Sequence, residues 1–360
     1  MRCEPVNRIA VIYMGFAFAP RYMGMSIAKF CADAEAACDI TIAAMDRLGG
    51  PDGINSVAFS RITPGTTALW LSRVAVPGKD LPADSLWQVL EKEVMTQADY
   101  DLIIEKGWYT FLATYMPRVI DMGEFKEFLD FGQRMGGVLI QRFRDHGYPI
   151  LTGGVASIPF EYFCGGRSME KFFLDLYRIP DKIQAAADAI FPEVVASTIQ
   201  AARMSGLPGV WLGGWRGASS LLAPKLWNRF VWPYYLKFAN AIVDAGLMPI
   251  LHWDQDWTRD LGRLQELPAK KCVFNPDGMT DIRKFKELVG DRMSLLGDVP
   301  PTSLTVGTPD DIHTYVRDLV HDIGPTGLLL CPGCDAPINA KPENMEAFVA
   351  AGREFGVARA

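Results

Sequence analysis

Eight short apolar runs, rich in β-branched residues, alternate along the chain with longer segments of helical periodicity. This alternation is typical of a parallel sheet with crossover helices, in which strands covered on both faces are nearly continuous hydrophobic runs. Because eight parallel strands close an α/β barrel, we predict a (β/α)8 TIM barrel. The predicted strands are Arg8–Met14, Gly53–Phe59, Pro149–Val155, Gly209–Trp215, Met248–Trp253, Cys272–Asn275, Met293–Leu296 and Gly327–Cys331.

The segments between these strands carry helix signals. Asp181–Met204 is long and rich in alanine, and Pro224–Ala245 is amphipathic with aromatic residues on one face, so each is predicted as one helix. Thr308 is a predicted N-cap, because a proline and two acids follow it. The last helix is predicted to start in the same style at Lys341.

The connection between the second and third strands is unusual. It is an excursion at about 61–148, on the order of ninety residues, which is too long for a single crossover loop. We predict a small hairpin near Trp70–Pro77 and several helices, notably Glu124–His146. The sequence shows neither a linker nor an internal repeat, so residues 1–360 are predicted to form a single domain with this helical excursion.

Composition excludes some classes of function. The net charge of -6 offers no basic field for phosphate backbones, so a nucleic-acid role is disfavoured. The apolar runs are shorter than the roughly 18 residues of a membrane span. The apolar stretch Ile9–Pro20 imitates a signal peptide, but Glu4 lies where a basic residue is expected, and a buried first strand is the preferred interpretation. Seven irregularly spaced cysteines do not resemble a disulfide framework, so a cytoplasmic location is expected.

Chemically useful side chains follow the predicted strands at their carboxyl ends, the face on which barrel enzymes carry their sites. His252, Asp254 and Cys334 form the sharpest group, since imidazole, carboxylate and thiolate all bind zinc, and three protein ligands with one open position describe a catalytic site. Two alternatives stay open. His252 could be a hydrogen-bonded core histidine beside a buried Cys334, or Cys331 and Cys334 could be a redox-active CxxC pair.

Other residues near the same rim are candidates for binding a substrate. Four tryptophans near two adjacent strand ends could be core residues or the wall of a pocket for a flat ligand; they are Trp211, Trp215, Trp253 and Trp257. The predicted substrate-binding residues are Tyr13, Trp215, Arg216, Trp253, Asn275, Asp277 and Asp298.

Several motifs resemble the uroporphyrinogen-decarboxylase superfamily, and they span nearly the whole chain. The most specific lie in the last hundred residues, where the superfamily has a GNVDP turn, a GTPEE helix start, a strand ending in GC and a PEN helix start. The corresponding segments are Leu296–Pro300, Val306–Asp311, Leu330–Cys334 and Lys341–Asn344. Arg21–Met23, Leu222–Pro224 and Trp232–Tyr234 are also similar to it. The resemblance implies a closed barrel independently of the strand count.

The resemblance favours the corrinoid-dependent methyltransferase branch. Decarboxylases carry an FSDI segment whose aspartate binds pyrrole NH groups, whereas this chain has Phe59–Ile62 with Arg61 at that position, and a guanidinium cannot accept those bonds. The methyltransferase branch carries HxC after the fifth strand and a later cysteine, which correspond to His252, Asp254 and Cys334. Asp254 departs from that pattern; its harder oxygen predicts a stronger Lewis acid, suited to an oxygen-bound methyl group.

We therefore predict zinc-dependent methyl transfer between a small methyl donor or acceptor, such as a methoxylated aromatic compound, and the corrinoid of a separate protein. A second hypothesis is decarboxylation or other acid–base chemistry on a tetrapyrrole-like or carboxylated ligand, with Arg21, Arg61 and Arg216 binding carboxylates. The third is a non-catalytic barrel that binds a corrinoid protein or ligand, which the departure at Asp254 would favour.

Overall fold

The computed structural model describes residues 3–57 and 62–357. Its strands are β1 (Ile12–Tyr13), β2 (Gly53–Ile54), β3 (Val74–Ala75), β4 (Gln88–Val89), β5 (Thr152–Ser157), β6 (Gly209–Gly214), β7 (Met248–Trp253), β8 (Val273–Pro276), β9 (Ser294–Leu296) and β10 (Leu328–Leu329). The first helices are α1 (Phe18–Met23), α2 (Ile27–Ala32), α3 (Ala34–Arg47), α4 (Ile62–Trp70), α5 (Gln97–Lys106), α6 (Trp108–Val119), α7 (Met122–Asp145), α8 (Pro159–Arg167) and α9 (Met169–Arg178). The later helices are α10 (Pro180–Ser205), α11 (Pro224–Phe230), α12 (Trp232–Asp244), a 3-10 helix (Thr258–Glu266), α13 (Ile282–Val289), α14 (Pro301–Val306), α15 (Pro309–Ile323) and α16 (Pro342–Phe355).

Eight of the strands are joined edge to edge into one parallel ring. Strands β5 to β10 pair in chain order, and β1 pairs with β2. A parallel bridge between Ile54 and Ile150 continues β2 towards β5, and another between Val11 and Leu330 connects β1 to the segment after β10. In the latter, the Ile12 amide donates to the Leu330 carbonyl at 2.7 Å. The hydrogen bonds therefore return to the starting strand, and the predicted (β/α)8 barrel is confirmed.

Each of the eight predicted strands overlaps an observed one, because continuous apolar runs mark strands that are covered on both faces. β5 and β8 run on past their predicted ends, to Ser157 and Pro276. The first and the last predicted strands were too long, because the observed β1 and β10 have two residues each. The end of the second predicted strand, at Phe59, lies outside the described residues, as does Arg61.

Side chains alternate between the barrel interior and the outer layer. The interior cluster includes Ile12, Leu151, Ile250, Val273 and Leu296. The residues between them on the strands, such as Leu251 beside Ile250, belong instead to the large core between barrel and helices. Since side chains on one strand face alternate sides, His252 faces inward like Ile250, at the carboxyl end of β7.

The helix predictions were confirmed for α7, α10, α15 and α16, and the Thr308 side chain caps α15. The single helix predicted over 224–245 was wrong. The chain turns at Val231 between α11 and α12, because Pro233 in the first turn of α12 lacks the N–H that a continuous helix would need. The predicted hairpin was misplaced: Trp70 ends α4, and Val74–Ala75 pairs with Gln88–Val89. None of the described helices has the length and apolarity of a membrane span.

Candidate functional site

Three potential metal ligands meet at the carboxyl end of the barrel. His252 comes from β7, Asp254 follows that strand directly, and Cys334 lies on the loop after β10. His252 Nε2 is 3.3 Å from Asp254 Oδ1 and 3.7 Å from Cys334 Sγ, and one ligand atom from each residue lies within 4.8 Å of the other two. His252 is buried, whereas Asp254 and Cys334 are partly exposed. The group predicted from the sequence is therefore brought together, with its open side towards solvent.

Asn275 on β8 fixes the orientation of the His252 ring. The Asn275 amide nitrogen donates to the Leu296 carbonyl at 2.6 Å, so its oxygen faces His252 Nδ1, at 2.8 Å. An oxygen at that position accepts a hydrogen bond, and Nδ1 must therefore carry the proton. In the neutral ring, Nε2 then directs its lone pair towards Asp254 and Cys334.

The convergence of these donor atoms requires a positive charge between them. Asp254 Oδ1 is buried and makes no hydrogen bond within the described part of the chain. Burial by itself lowers the pKa of His252, but the Asp254 carboxylate and the Cys334 sulfur raise that pKa well above its ordinary value. Nε2 and Oδ1 would repel each other as two bare acceptors, so either a proton or a metal cation must lie between them.

The donor set fits zinc. One nitrogen, one oxygen and one sulfur are all common zinc ligands, and a site with three protein ligands keeps a position open for a substrate. Tetrahedral zinc with ligands at roughly 2.0–2.3 Å places pairs of ligand atoms about 3.3–3.7 Å apart. The two short separations here, 3.3 and 3.7 Å, match that spacing.

Two nearby carboxylates accept hydrogen bonds from backbone amides in the loops around these three residues. Both oxygens of Asp335 accept from the Phe16 amide, at 2.9 and 3.1 Å, and burial raises the pKa of Asp335 to about 7. Asp277 accepts from the Gln255 amide at 2.8 Å and from the Met279 amide at 2.9 Å, and burial raises its pKa. These carboxylates hold the loops after β1, β7 and β8 in place around the three ligand residues.

A wall of three partly exposed tryptophans stands beside the metal-ligand group. The Trp211 ring stacks on His252 with ring centres 5.2 Å apart and planes inclined by 25°. Trp70 meets Trp211 edge-on at 6.5 Å and Trp215 at 6.1 Å. We call these three residues the tryptophan wall.

Three of the other predicted substrate-binding residues are buried and make their contacts elsewhere. Trp253 is buried on the opposite face of β7 from His252, where it stacks on Trp257 at 4.3 Å. The Tyr13 ring is buried, and its hydroxyl donates to the Gly15 carbonyl at 2.6 Å. Asp298 accepts from the Tyr315 hydroxyl at 2.8 Å, and burial raises its pKa to about 7.

Arg216 lies behind the tryptophan wall. Its guanidinium carbon is 4.0 Å from the centre of the Trp215 ring, and one of its nitrogens pairs with Glu91 at 3.0 Å. The side chain is only 1% exposed, and its Nε and Nη1 atoms have no hydrogen-bond partner among the described residues. Arg216 therefore supports Trp215 and does not present an accessible fork for a substrate carboxylate.

Three residues that the sequence analysis did not single out help to build the site. Trp70 completes the tryptophan wall from the end of α4. Asn55 donates towards the Asn275 oxygen at 3.5 Å. Glu161 on α8 accepts three consecutive backbone N–H groups after β6, at 2.8–3.1 Å, and so fixes the segment that carries Trp215 and Arg216. Asn55 directly follows the observed β2, but the sequence analysis placed it inside the longer predicted strand Gly53–Phe59.

The fold and site together define a parallel α/β barrel with a three-ligand group at its carboxyl end, and known proteins share this architecture. The family model for uroporphyrinogen decarboxylase (URO-D) matches residues 148–355, more than half of the chain. Uroporphyrinogen decarboxylases of Coxiella burnetii are 26% identical over 226 residues, which cover 59% of this chain. The chain spans about 60% of the length of these curated relatives.

Solved structures extend the likeness to nearly the full length. A methyltransferase from Methanosarcina mazei has a TM-score of 0.70 at 17% identity, covering 98% of this chain and 96% of that one. A B12-independent methionine synthase from Shewanella sp. W3-18-1 has a TM-score of 0.52 at 8% identity, covering 97% and 96%. These likenesses show a shared fold. The chain belongs to the uroporphyrinogen decarboxylase family, a family of enzymes, as its motifs predicted.

Proposed function

We propose that this enzyme transfers a methyl group between a small substrate and the corrinoid of a partner protein, at a zinc ion held by His252, Asp254 and Cys334. The observation that carries the proposal is the convergence of the three donor atoms, with His252 Nε2 directed at the other two. The methyltransferase fold of the Methanosarcina mazei protein supports it.

Zinc in this position would supply Lewis-acid activation of the atom that carries the methyl group. The side chains provide the remaining parts of the site. Asn275 holds His252 in the tautomer that can ligate, and Asp254 contributes an anionic oxygen where other members of the branch are expected to have sulfur. The partly exposed side of Asp254 and Cys334 leaves room for a substrate at the open position.

The electrons of the transfer balance with a cobalt(I) corrinoid as the acceptor. The bond between the methyl carbon and its heteroatom breaks, and its electron pair stays on the heteroatom. Cobalt(I) supplies the pair for the new carbon–cobalt bond and becomes formally cobalt(III). The partner protein must therefore bring its corrinoid to the carboxyl end of the barrel, where the three ligand residues lie.

Decarboxylation is the second candidate, and the likeness to the Coxiella burnetii decarboxylases favours it. In that case Arg21, Arg61 and Arg216 were proposed to bind substrate carboxylates. The geometry of Arg216 weighs against this role, because that side chain is buried and already paired with Glu91.

Methyl transfer to free cob(I)alamin tests the proposal. The zinc-loaded enzyme is mixed with cob(I)alamin and a panel of O-methyl and S-methyl compounds, and the loss of the cob(I)alamin absorption is followed. We expect at least one donor to be consumed by the wild type and by Cys272→Ala, a control at a buried cysteine of the outer core, but not by Asp254→Ala. Equal rates in the wild type and in Asp254→Ala would contradict the proposal, and an unchanged spectrum with every donor would favour a non-catalytic barrel.

A further inference from the structure

An exposed apolar side chain, Val155 on β5, lies next to the tryptophan wall. The missing side chain of Gly154 would point at α10, at the Thr198 carbonyl and at Ala202, so the next residue on β5, Val155, faces the barrel interior. Val155 is nevertheless 51% exposed, and it lies beside Trp211 in the register of the sheet. The inward-facing Val155 side chain is therefore uncovered apolar surface beside the partly exposed indole ring of Trp211.

Gly213 allows Trp211 to lie flat against the sheet. A Cβ atom at Gly213 would be 2.3 Å from Trp211 and 3.2 Å from Trp70, so the two indole rings occupy the place of its side chain. Gly213 is also the register partner of His252. The absence of a side chain here keeps a planar apolar surface directly beside the metal-ligand group.

From this arrangement we infer that the methyl donor is an aryl methyl ether, whose ring lies against Trp211, Trp70 and Val155 with its ether oxygen towards His252, Asp254 and Cys334. This inference rests on the proposed methyl transfer and names its substrate class. Aromatic rings pack favourably against one another when they are stacked with an offset or meet edge to face, which a flat indole wall offers.

The charge behind the wall argues against a cationic donor. Aromatic cages bind quaternary ammonium groups through their ring faces. Here the Arg216 guanidinium already lies 4.0 Å from the Trp215 ring and 5.9 Å from the Trp70 ring. Arg216, whose charge is paired with Glu91, therefore already makes the cation–π contact that Trp215 offers, and a neutral aromatic ring does not compete with it.

The electrons of the aryl ether reaction also balance. The bond between the methyl carbon and the ether oxygen breaks, and the oxygen keeps the electron pair as a phenolate. A cobalt(I) corrinoid supplies the pair for the new carbon–cobalt bond, and the phenolate takes a proton from solvent on release. The donor set contains the hard oxygen of Asp254, which suits activation of an oxygen-bound methyl group.

Binding of two matched probes tests the inference without the partner protein. The full-length protein is titrated with 2-methoxyphenol and with its saturated counterpart 2-methoxycyclohexanol, and each dissociation constant is measured by ligand-observed NMR. We expect the aromatic ether to bind about fivefold more tightly, the middle of the roughly 2- to 12-fold that an aromatic pair contributes beyond area burial. In Trp211→Leu and Trp70→Leu that preference should disappear.

Trp108→Leu is the matched control, because Trp108 packs against Phe111 and Tyr162 outside the tryptophan wall. It should keep the aromatic preference, and thermal unfolding verifies that all variants are folded. Equal binding of the two ethers, an aromatic preference that survives in folded Trp211→Leu, or tight binding of tetramethylammonium would each overturn the inference. Zinc binding is measured on the same samples. Zinc bound without aromatic preference refutes only the substrate class, whereas aromatic preference without zinc refutes the proposed chemistry and leaves the aromatic subsite standing.

Discussion

Replacement of Asn275 by alanine should weaken zinc binding about 10- to 100-fold, which corresponds to roughly 1.4–2.7 kcal/mol. In the wild type, the Asn275 oxygen lies 2.8 Å from His252 Nδ1 and requires the proton to be on that atom. Without the amide, the tautomer with the proton on Nε2 becomes accessible, and the ring loses the bond that sets its angle. A hydrogen bond of this kind contributes about 0.5–1.5 kcal/mol. Loss of the correct orientation of the His252 ring accounts for the remainder of the expected loss in zinc-binding free energy.

The assay is competition for zinc between the protein and a chromophoric chelator at one fixed pH. Asn344→Ala serves as the control. Asn344 lies at the start of α16, is as buried as Asn275, and donates hydrogen bonds to the Leu304 and Gly307 carbonyls. That variant should lose stability but keep its zinc affinity. If folded Asn275→Ala binds zinc within a factor of about two of the wild type, the argument from the histidine tautomer is refuted.

Three further predictions concern stability. Gly213→Ala places a Cβ 2.3 Å from Trp211, so denaturant titration should show a loss of about 1–3 kcal/mol, and an unchanged midpoint would contradict the close packing. Glu161→Ala leaves two buried N–H groups and one partly buried N–H group without their acceptor, so urea unfolding should show a loss of about 3 kcal/mol or more; a loss below about 1 kcal/mol would refute that role. Burial raises the pKa of Asp298 from 3.8 to about 7, so the native state holds the proton more tightly, and the contribution of Asp298 to stability falls as pH rises from about 4 to 7. Asp298→Asn, which can still accept from Tyr315, should flatten that fall between about pH 4 and 7, and an unchanged slope would contradict it.

The barrel could be predicted from the sequence because its strands are buried on both faces. Runs such as Met248–Trp253 are apolar except for His252 near the carboxyl end, and eight such runs alternating with helical segments are typical of a parallel barrel. The break at Val231 was missed because an amphipathic pattern continues across it. Pro233 was the available signal, since proline two residues further on marks the start of a second helix.

The grouping of His252, Asp254 and Cys334 could be predicted because these residues follow strand ends, where the carboxyl edge of the sheet brings distant residues together. The tryptophan wall was only partly predicted. Trp211 and Trp253 were grouped together, although His252 and Trp253 are consecutive and must face opposite sides of β7. Trp70 could not be placed, because its position depends on how the excursion at about 61–148 folds back over the barrel, which no local pattern encodes.

The metal content of the purified protein tests the central claim most directly. Plasma mass spectrometry is applied to the wild type, Asp254→Ala, Cys334→Ala and the control Cys272→Ala. The account predicts about one zinc ion per chain in the wild type and the control, and close to none in the other two variants, as expected for a site with three protein ligands. A wild type that binds no zinc after reconstitution, or zinc that persists in both ligand variants, would contradict it.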